Sequence, residues 1–435
     1  MPERLRVFGV FDSFLLWLNL GISLLVLVAA ACFGLSLKQA VAATILGGLI
    51  GNAMLGVAAL IGADARVPTM ALQRAPLGQR GSWLATGLNV MQCLGWSVFE
   101  ITVIAVAASA LAGRVFGFHV VWIWKVVFGG VGLALALMGP IGFVRRYVRK
   151  VAIWAVSASI VYLAVWILRN GHVGRLWHQG GHGGSFWLAV DLVIALTVSW
   201  IPLVADYTRF SRNRRSAFWG AGLGYLLPTL FQFGFGSILV LSHPSISGPT
   251  AVLTTVAAGG VGSVLALLAL TVDETDEAFA NIYSTAVSLQ NYAPRASQRL
   301  LICCVAVAAT AISLPLDLTQ YQQFLLLLGA FFVPLFGVLL ADWLVAGRHY
   351  EPRDIFNGPA WRPGMIASWL IGFALYEWIA QTQKLGFWTS FLADLHPPHG
   401  GIGASLPSFG VAFVLGLAVS WVSRRVAVQI PAQAE

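Results

Sequence analysis

Apolar positions along this chain come in long runs rather than in alternation. Runs of about 18 residues or more recur, each long enough to cross ~30 Å of hydrocarbon. They lie near 12–34, 40–63, 84–113, 118–140, 151–168, 185–206, 216–241, 255–291, 299–314, 320–343, 363–382 and 406–423. The pattern predicts an all-α membrane protein with 12 transmembrane helices. The segment "MPERLRVFGVFDSF" leads straight into the first run and does not read as a cleaved signal.

Polar positions interrupt four of these runs. A polar group at bilayer depth is costly and usually functional, so the interruptions locate candidate sites. In "FLLWLNLGISLLVLVAAACFG", Asn19, Gly21 and Ser23 break the first run. Two readings stand side by side: close helix packing through small residues, or a locally unwound helix whose carbonyls bind an ion. In "GLNVMQCLGWSVFEITVIAVAASAL", Glu100 sits mid-run with Trp96 one helical turn before it on the same face. Asn89 and Gln92 continue that stripe. In "LAVDLVIALTVSWIPLVADYTRF", Thr197, Ser199, Trp200 and Pro202 fall mid-run, and the proline frees backbone carbonyls. Asp206 and Arg209 follow at the end of the run.

The fourth interruption is "TVDETDEAFANIYSTAVSLQNY", where Asp273, Glu274, Asp276 and Glu277 arrive directly after an uncharged run. Either the helix ends near residue 271 and the acids sit in water, or it continues to about Asn291. Asp273, Glu277, Asn281, Ser284 and Ser288 are spaced by three or four. That helical periodicity favours the second reading, with one polar stripe facing a cavity.

Composition agrees with a membrane chain: 58% of the 435 residues are hydrophobic and 10% charged. The net charge of +9 points to orientation rather than to nucleic acid. With both termini in the cytoplasm, the inner segments collect most of the 26 lysines and arginines, among them Arg145, Arg146, Arg149 and Lys150. The outer segments hold Lys38, Arg114, Arg169, Arg175 and Lys384, and Lys125 lies within a span. This follows the positive-inside rule and predicts a multi-pass protein of the cell (inner) membrane in contact with anionic lipid. The four cysteines show no metal or disulfide spacing. Most histidines, including His172, His178, His182, His396 and His399, lie in outer loops. With no HExxH and no GxxxxGK[ST], the spans themselves carry the function, and an enzyme is not expected.

The breaks recur with an offset of five helices, as in paired inverted repeats. The expected organisation is one repeat over 1–168, a second over 185–343, and two accessory helices over 363–423. Three stretches, "ALQRAPLGQRGSWLATGLNVMQCLGW", "ADYTRF" and "FANIYSTAVSLQN", resemble the signatures of the nucleobase–cation symporter-1 family. These are the cytosine/purine, uracil, thiamine and allantoin permeases. The resemblance runs from about Phe8 to Asp342. "GWSVFE" and "DETDEAFANIYSTAVSLQN" look most like its hydroxymethylpyrimidine branch.

The resemblance implies a leucine-transporter fold and a secondary transporter of a small planar nitrogen heterocycle, without cofactor. An amino-acid or amine transporter of the same fold is the alternative. At matching positions the resemblance implies that Trp96 stacks on the substrate ring, with Glu100 where relatives carry glutamine. Asn281 matches a substrate-binding asparagine, with Glu277 one turn before it. The family's sixth-helix aromatic falls at Thr197, so the nearest aromatic is Trp200, beside Ser199. A sodium site falls on Asn19, Ile22, Val272, Thr275 and Asp276. An aspartate replaces the usual second hydroxyl there, so the coupling ion is Na⁺ or H⁺.

Overall fold

A computed structural model describes residues 3–143, 153–181, 183–244, 246, 249–258, 260, 264–265, 267–268, 270–271, 274–316, 318, 321–380 and 403–429. Val272, Asp273, Arg145, Arg146, Arg149, Lys150, Lys384, His182, His396 and His399 lie outside the described residues. Among those described there is no strand, only an isolated parallel bridge between Phe8 and Ser211. Helices are the expected solution, because hydrocarbon leaves every backbone N–H and C=O to be satisfied within its own segment.

The first expected span is two helices, α1 (Val10–Leu20) and α2 (Leu24–Ala29). A short 3₁₀ turn extends α2 to Cys32, and the two halves meet at 58°. Then follow α3 (Leu37–Ala65), α4 (Ser82–Phe116), α5 (Val121–Phe143) and α6 (Ile153–Asn170). The sixth expected span is also broken. Helix α7 (Phe186–Val198) gives way to a 3₁₀ turn at Ile201–Leu203 and resumes as α8 (Val204–Thr208). Pro202, inside the 3₁₀ turn, lacks the N–H that a continuous helix would need.

The chain continues through α9 (Arg214–Ser242), α10 (Pro249–Ala258), α11 (Thr275–Leu289), α12 (Gln298–Ser313), α13 (Tyr321–Val345), α14 (Pro363–Ala380) and α15 (Ser405–Gln429). Among the described residues seven helices are long and apolar enough to cross a membrane, and the bent α1–α2 pair makes an eighth. The expected count of 12 is therefore not reached by that criterion.

Close approach of backbones holds the bundle together. A Cβ on Gly47 would meet the Val190 carbonyl at 2.8 Å, and one on Gly62 would meet the Ala205 side chain at 2.6 Å. Helix α3 thus lies against α7 and α8 because its contact face is nearly bare, the arrangement that substitutes for hydrophobic driving force inside lipid. At the first break a Cβ on Gly21 would meet Pro228 at 2.5 Å. Glycine there lets α9 press against the point where α1 ends.

Candidate functional site

The two broken helices meet the stripes of α4 and α11 at one cavity. Its walls include Ser23 from the first break and Trp96 from α4, with Ser199 and Trp200 from the second break. Tyr225 comes from α9, Glu277 and Asn281 from α11, and Tyr321 from α13. The side chains close on about 10 Å³, enough for one water molecule. A planar ring enters only when the walls move apart.

Each break exposes backbone groups, and named side chains take them up. The Ser23 amide donates to Gln232 Oε1 at 3.0 Å. The Leu24 amide donates to Glu274 Oε2 at 2.6 Å, and the Ser23 hydroxyl donates to Glu274 Oε1 at 2.7 Å. A carboxylate at the start of α2 meets the positive end of the peptide dipoles and satisfies one of its orphan donors. At the second break the Ser199 carbonyl accepts from Gln92 Nε2 at 2.7 Å. Gln92 in turn donates to Asn89 Oδ1, and Asn89 donates to the Ser288 hydroxyl at 2.8 Å. The polar stripe of α4 therefore links the second break to α11.

The three described acids after the uncharged run are inside the protein. Glu274, Asp276 and Glu277 are 1%, 0% and 5% exposed. The Glu274 amide donates to Leu270 at helical spacing. Glu277, Asn281, Ser284 and Ser288 are all buried along α11, so these acids are not a solvated tail. One carboxylate oxygen each from Glu100, Glu274 and Glu277 lie within 4.8 Å of one another. Asp276 stands apart from that trio and accepts a short hydrogen bond from Asn19 Nδ2. Its other oxygen, Oδ1, is buried without a hydrogen-bond partner.

Aromatic rings pin the two tryptophans. Trp200 donates its indole N–H to the Tyr225 hydroxyl at 2.8 Å and meets Trp17 edge-on at 5.6 Å. Trp96 meets Phe324 edge-on at 5.2 Å and Tyr321 at 6.0 Å.

The fold brings Trp96, Ser199, Trp200, Glu277 and Asn281 to one cavity, with Glu100 beside Glu277. Thr197 goes elsewhere. It does not line the cavity: its hydroxyl donates to the Val193 carbonyl, and its side chain abuts Gly51 of α3. Of the expected ion ligands, Asn19 and Asp276 touch, and Thr275 and Ile22 are buried. The Ile22 amide donates to the Asn19 carbonyl, and Val272 lies outside the described residues. Reading the sequence did not single out Glu274, Tyr225 or Tyr321 as site residues. Glu274 was visible as an acid among acids, and the tyrosines carry no local signal.

Buried polar stripes, two broken helices and a central cavity in an apolar bundle are the features of a membrane transporter. The family model described as permease for cytosine/purines, uracil, thiamine, allantoin matches residues 1–358. The chain belongs to that family, the nucleobase–cation symporter-1 transporters. It is 25% identical over 312 residues to the cytosine permease of Escherichia coli (strain K12), covering 70% of each chain. It is 23% identical over 364 residues to the hydantoin permease of Microbacterium maritypicum, covering 72% of this chain and 74% of that one. Among solved structures it resembles Mhp1 in a closed conformation with bromovinylhydantoin bound. There the TM-score is 0.78 at 20% identity, over 100% of this chain and 96% of that one. The sodium-coupled sialic acid symporter matches with a TM-score of 0.63 at 10% identity, over 97% and 90%. The fold is the leucine-transporter fold, and the protein is a multi-pass membrane transporter of small heterocycles.

Proposed function

We propose that this transporter imports a small planar nitrogen heterocycle across the cell membrane, driven by a cation gradient. The substrate is an aminopyrimidine of the hydroxymethylpyrimidine type or a nucleobase such as cytosine. The observation that carries this reading is the convergence of Trp96, Trp200, Glu277 and Asn281 on one cavity between two helix breaks. Flat aromatic walls suit a flat ring, whose stacking is worth about 1–3 kcal/mol. Convergent polar groups at a midplane break suit its edge. Glu100 and Ser199 complement that edge, and Thr197 supports the second break from behind.

The coupling cation is assigned to Asn19, Ile22, Val272, Thr275 and Asp276. Hard oxygen donors and a buried carboxylate oxygen with no hydrogen-bond partner fit Na⁺. Alternating access rocks one helix bundle against another around the cavity, within two five-helix repeats over 1–168 and 185–343 and two accessory helices over 363–423. The bias of Lys and Arg toward one set of loops supports both termini in the cytoplasm. The test is uptake of labelled cytosine and hydroxymethylpyrimidine into proteoliposomes under imposed Na⁺ or H⁺ gradients. Accumulation of either against its gradient supports the reading, and none under any gradient removes it.

A further inference from the structure

We propose that the substrate is bound as a cation, held by the carboxylate trio Glu100, Glu274 and Glu277 between the aromatic walls of the cavity. The inference rests on the planar-ring reading above and adds the charge of that ring. Three observations converge on it. The first is the trio itself: carboxylate oxygens from α4, from the start of α11 and from its first turn lie within 4.8 Å of one another, all three residues buried.

The second is what those oxygens lack. Glu274 is satisfied by Ser23 and Leu24. Outside the trio, Glu277 Oε1 and both oxygens of Glu100 have no hydrogen-bond partner, although Glu100 is 0% exposed. No lysine, arginine or histidine pairs with any of the three among the described residues. Buried carboxyls this close either share protons or hold their charge against a positive partner, and among the described residues no side chain supplies that partner, so a cationic ligand can.

The third is the wall chemistry. Glu277 lines the cavity together with Trp96, Trp200, Tyr225 and Tyr321. Aromatic faces attract cations through the ring quadrupole. Tyr225 accepts from Trp200 and Tyr321 donates to the Leu25 carbonyl, and neither hydroxyl brings a positive charge. Among the described residues the cavity is therefore acidic at one side, aromatic around it, and without a basic group.

A flat ring with adjacent N–H donors and a delocalised positive charge matches that pattern. An amidinium or a protonated aminopyrimidine presents such an edge, and its paired donors face a carboxylate in the strong, charge-assisted geometry. A neutral ring with a carbonyl at that edge sets oxygen against oxygen. The site thus selects charged, amino-bearing rings over neutral, oxo-bearing ones.

The test uses isosteric flat probes on the purified full-length transporter: benzamidinium against benzamide, with cytosine and uracil in parallel. Thermal unfolding midpoints in detergent give the half-saturating concentration of each. Benzamidinium is expected to stabilise at a concentration at least tenfold below benzamide. Glu100→Gln and Glu277→Gln are each expected to bring the two probes together. The native comparison stands even where a variant fails to fold. Benzamide binding as tightly as benzamidinium overturns the inference. Binding of cytosine and uracil without any of benzamidinium overturns the charge assignment and leaves the planar-ring reading intact. No stabilisation by any flat ring overturns both. A cation preference unchanged in the glutamine variants assigns it to the aromatic walls and overturns the role of the trio.

Discussion

The Glu274 carboxylate accepts the Leu24 amide at 2.6 Å, although the two residues lie 250 positions apart. One side chain thereby fixes where the first span breaks and where its second half starts. Glu274→Ala leaves the Leu24 amide and the Ser23 hydroxyl buried without their acceptor, a cost of about 1–3 kcal/mol. The thermal midpoint in detergent is expected to fall, and Glu274→Gln, which keeps one acceptor, to fall less. Equal midpoints for the native protein and the alanine variant would show that the break holds without this contact.

Tyr225 orients Trp200 by accepting its indole N–H. Tyr225→Phe leaves the buried Trp200 N–H without its acceptor, a cost of about 1–3 kcal/mol, and frees the ring. Cytosine or hydroxymethylpyrimidine affinity, measured by competition on purified protein, is expected to drop several-fold, with the fold unchanged by circular dichroism. An unchanged affinity would remove Tyr225 from positioning the wall.

Trp96 stands against Phe324 and Tyr321 with one side at the cavity. Losing about 1–3 kcal/mol of stacking in Trp96→Ala weakens binding by roughly tenfold or more. Trp96→Phe keeps an aromatic face and is expected to be milder. If both variants bind as the native protein does, Trp96 is packing.

Asn19 and Asp276 tie the first break to α11 by a direct hydrogen bond. Asp276→Asn removes the negative charge from the proposed cation position. Sodium stimulation of substrate binding is expected to weaken, most visibly as a higher half-saturating Na⁺ concentration. Binding that ignores sodium in the native protein, with uptake driven by a pH gradient alone, would rule out the sodium assignment.

Thr197 faces Gly51 and hydrogen-bonds its own helix. Thr197→Val keeps its shape and is expected to leave substrate affinity unchanged, whereas Trp200→Ala is expected to reduce it. A loss of affinity in Thr197→Val at an unaltered thermal midpoint would put Thr197 at the substrate.

Much of this protein is decided locally, and that part is legible in the chain. Hydrocarbon admits only apolar segments whose backbone bonds to itself, so the runs had to be helices. Asn19, Gly21 and Ser23, and later Ser199 and Pro202, mark the breaks because a polar side chain or a missing N–H disturbs a helix wherever that helix ends up. The spacing of Glu277, Asn281, Ser284 and Ser288 put them on one face, since 3.6 residues per turn is a property of the helix alone.

What faces what is not local. Thr197 and Trp200 are three residues apart, yet the switch to a 3₁₀ turn sends one toward α3 and the other into the cavity. Glu274 is set apart from Asp276 and Glu277 by meeting the start of α2. Tyr225 and Tyr321 join the site solely because α9 and α13 pack beside the breaks. The meeting of Glu100, Glu274 and Glu277 depends on the approach of α4 to α11, more than 170 positions away in sequence. Periodicity assigns a residue to a face of its helix. Only the packing of helices through bare surfaces such as those at Gly21, Gly47 and Gly62 decides which faces confront each other.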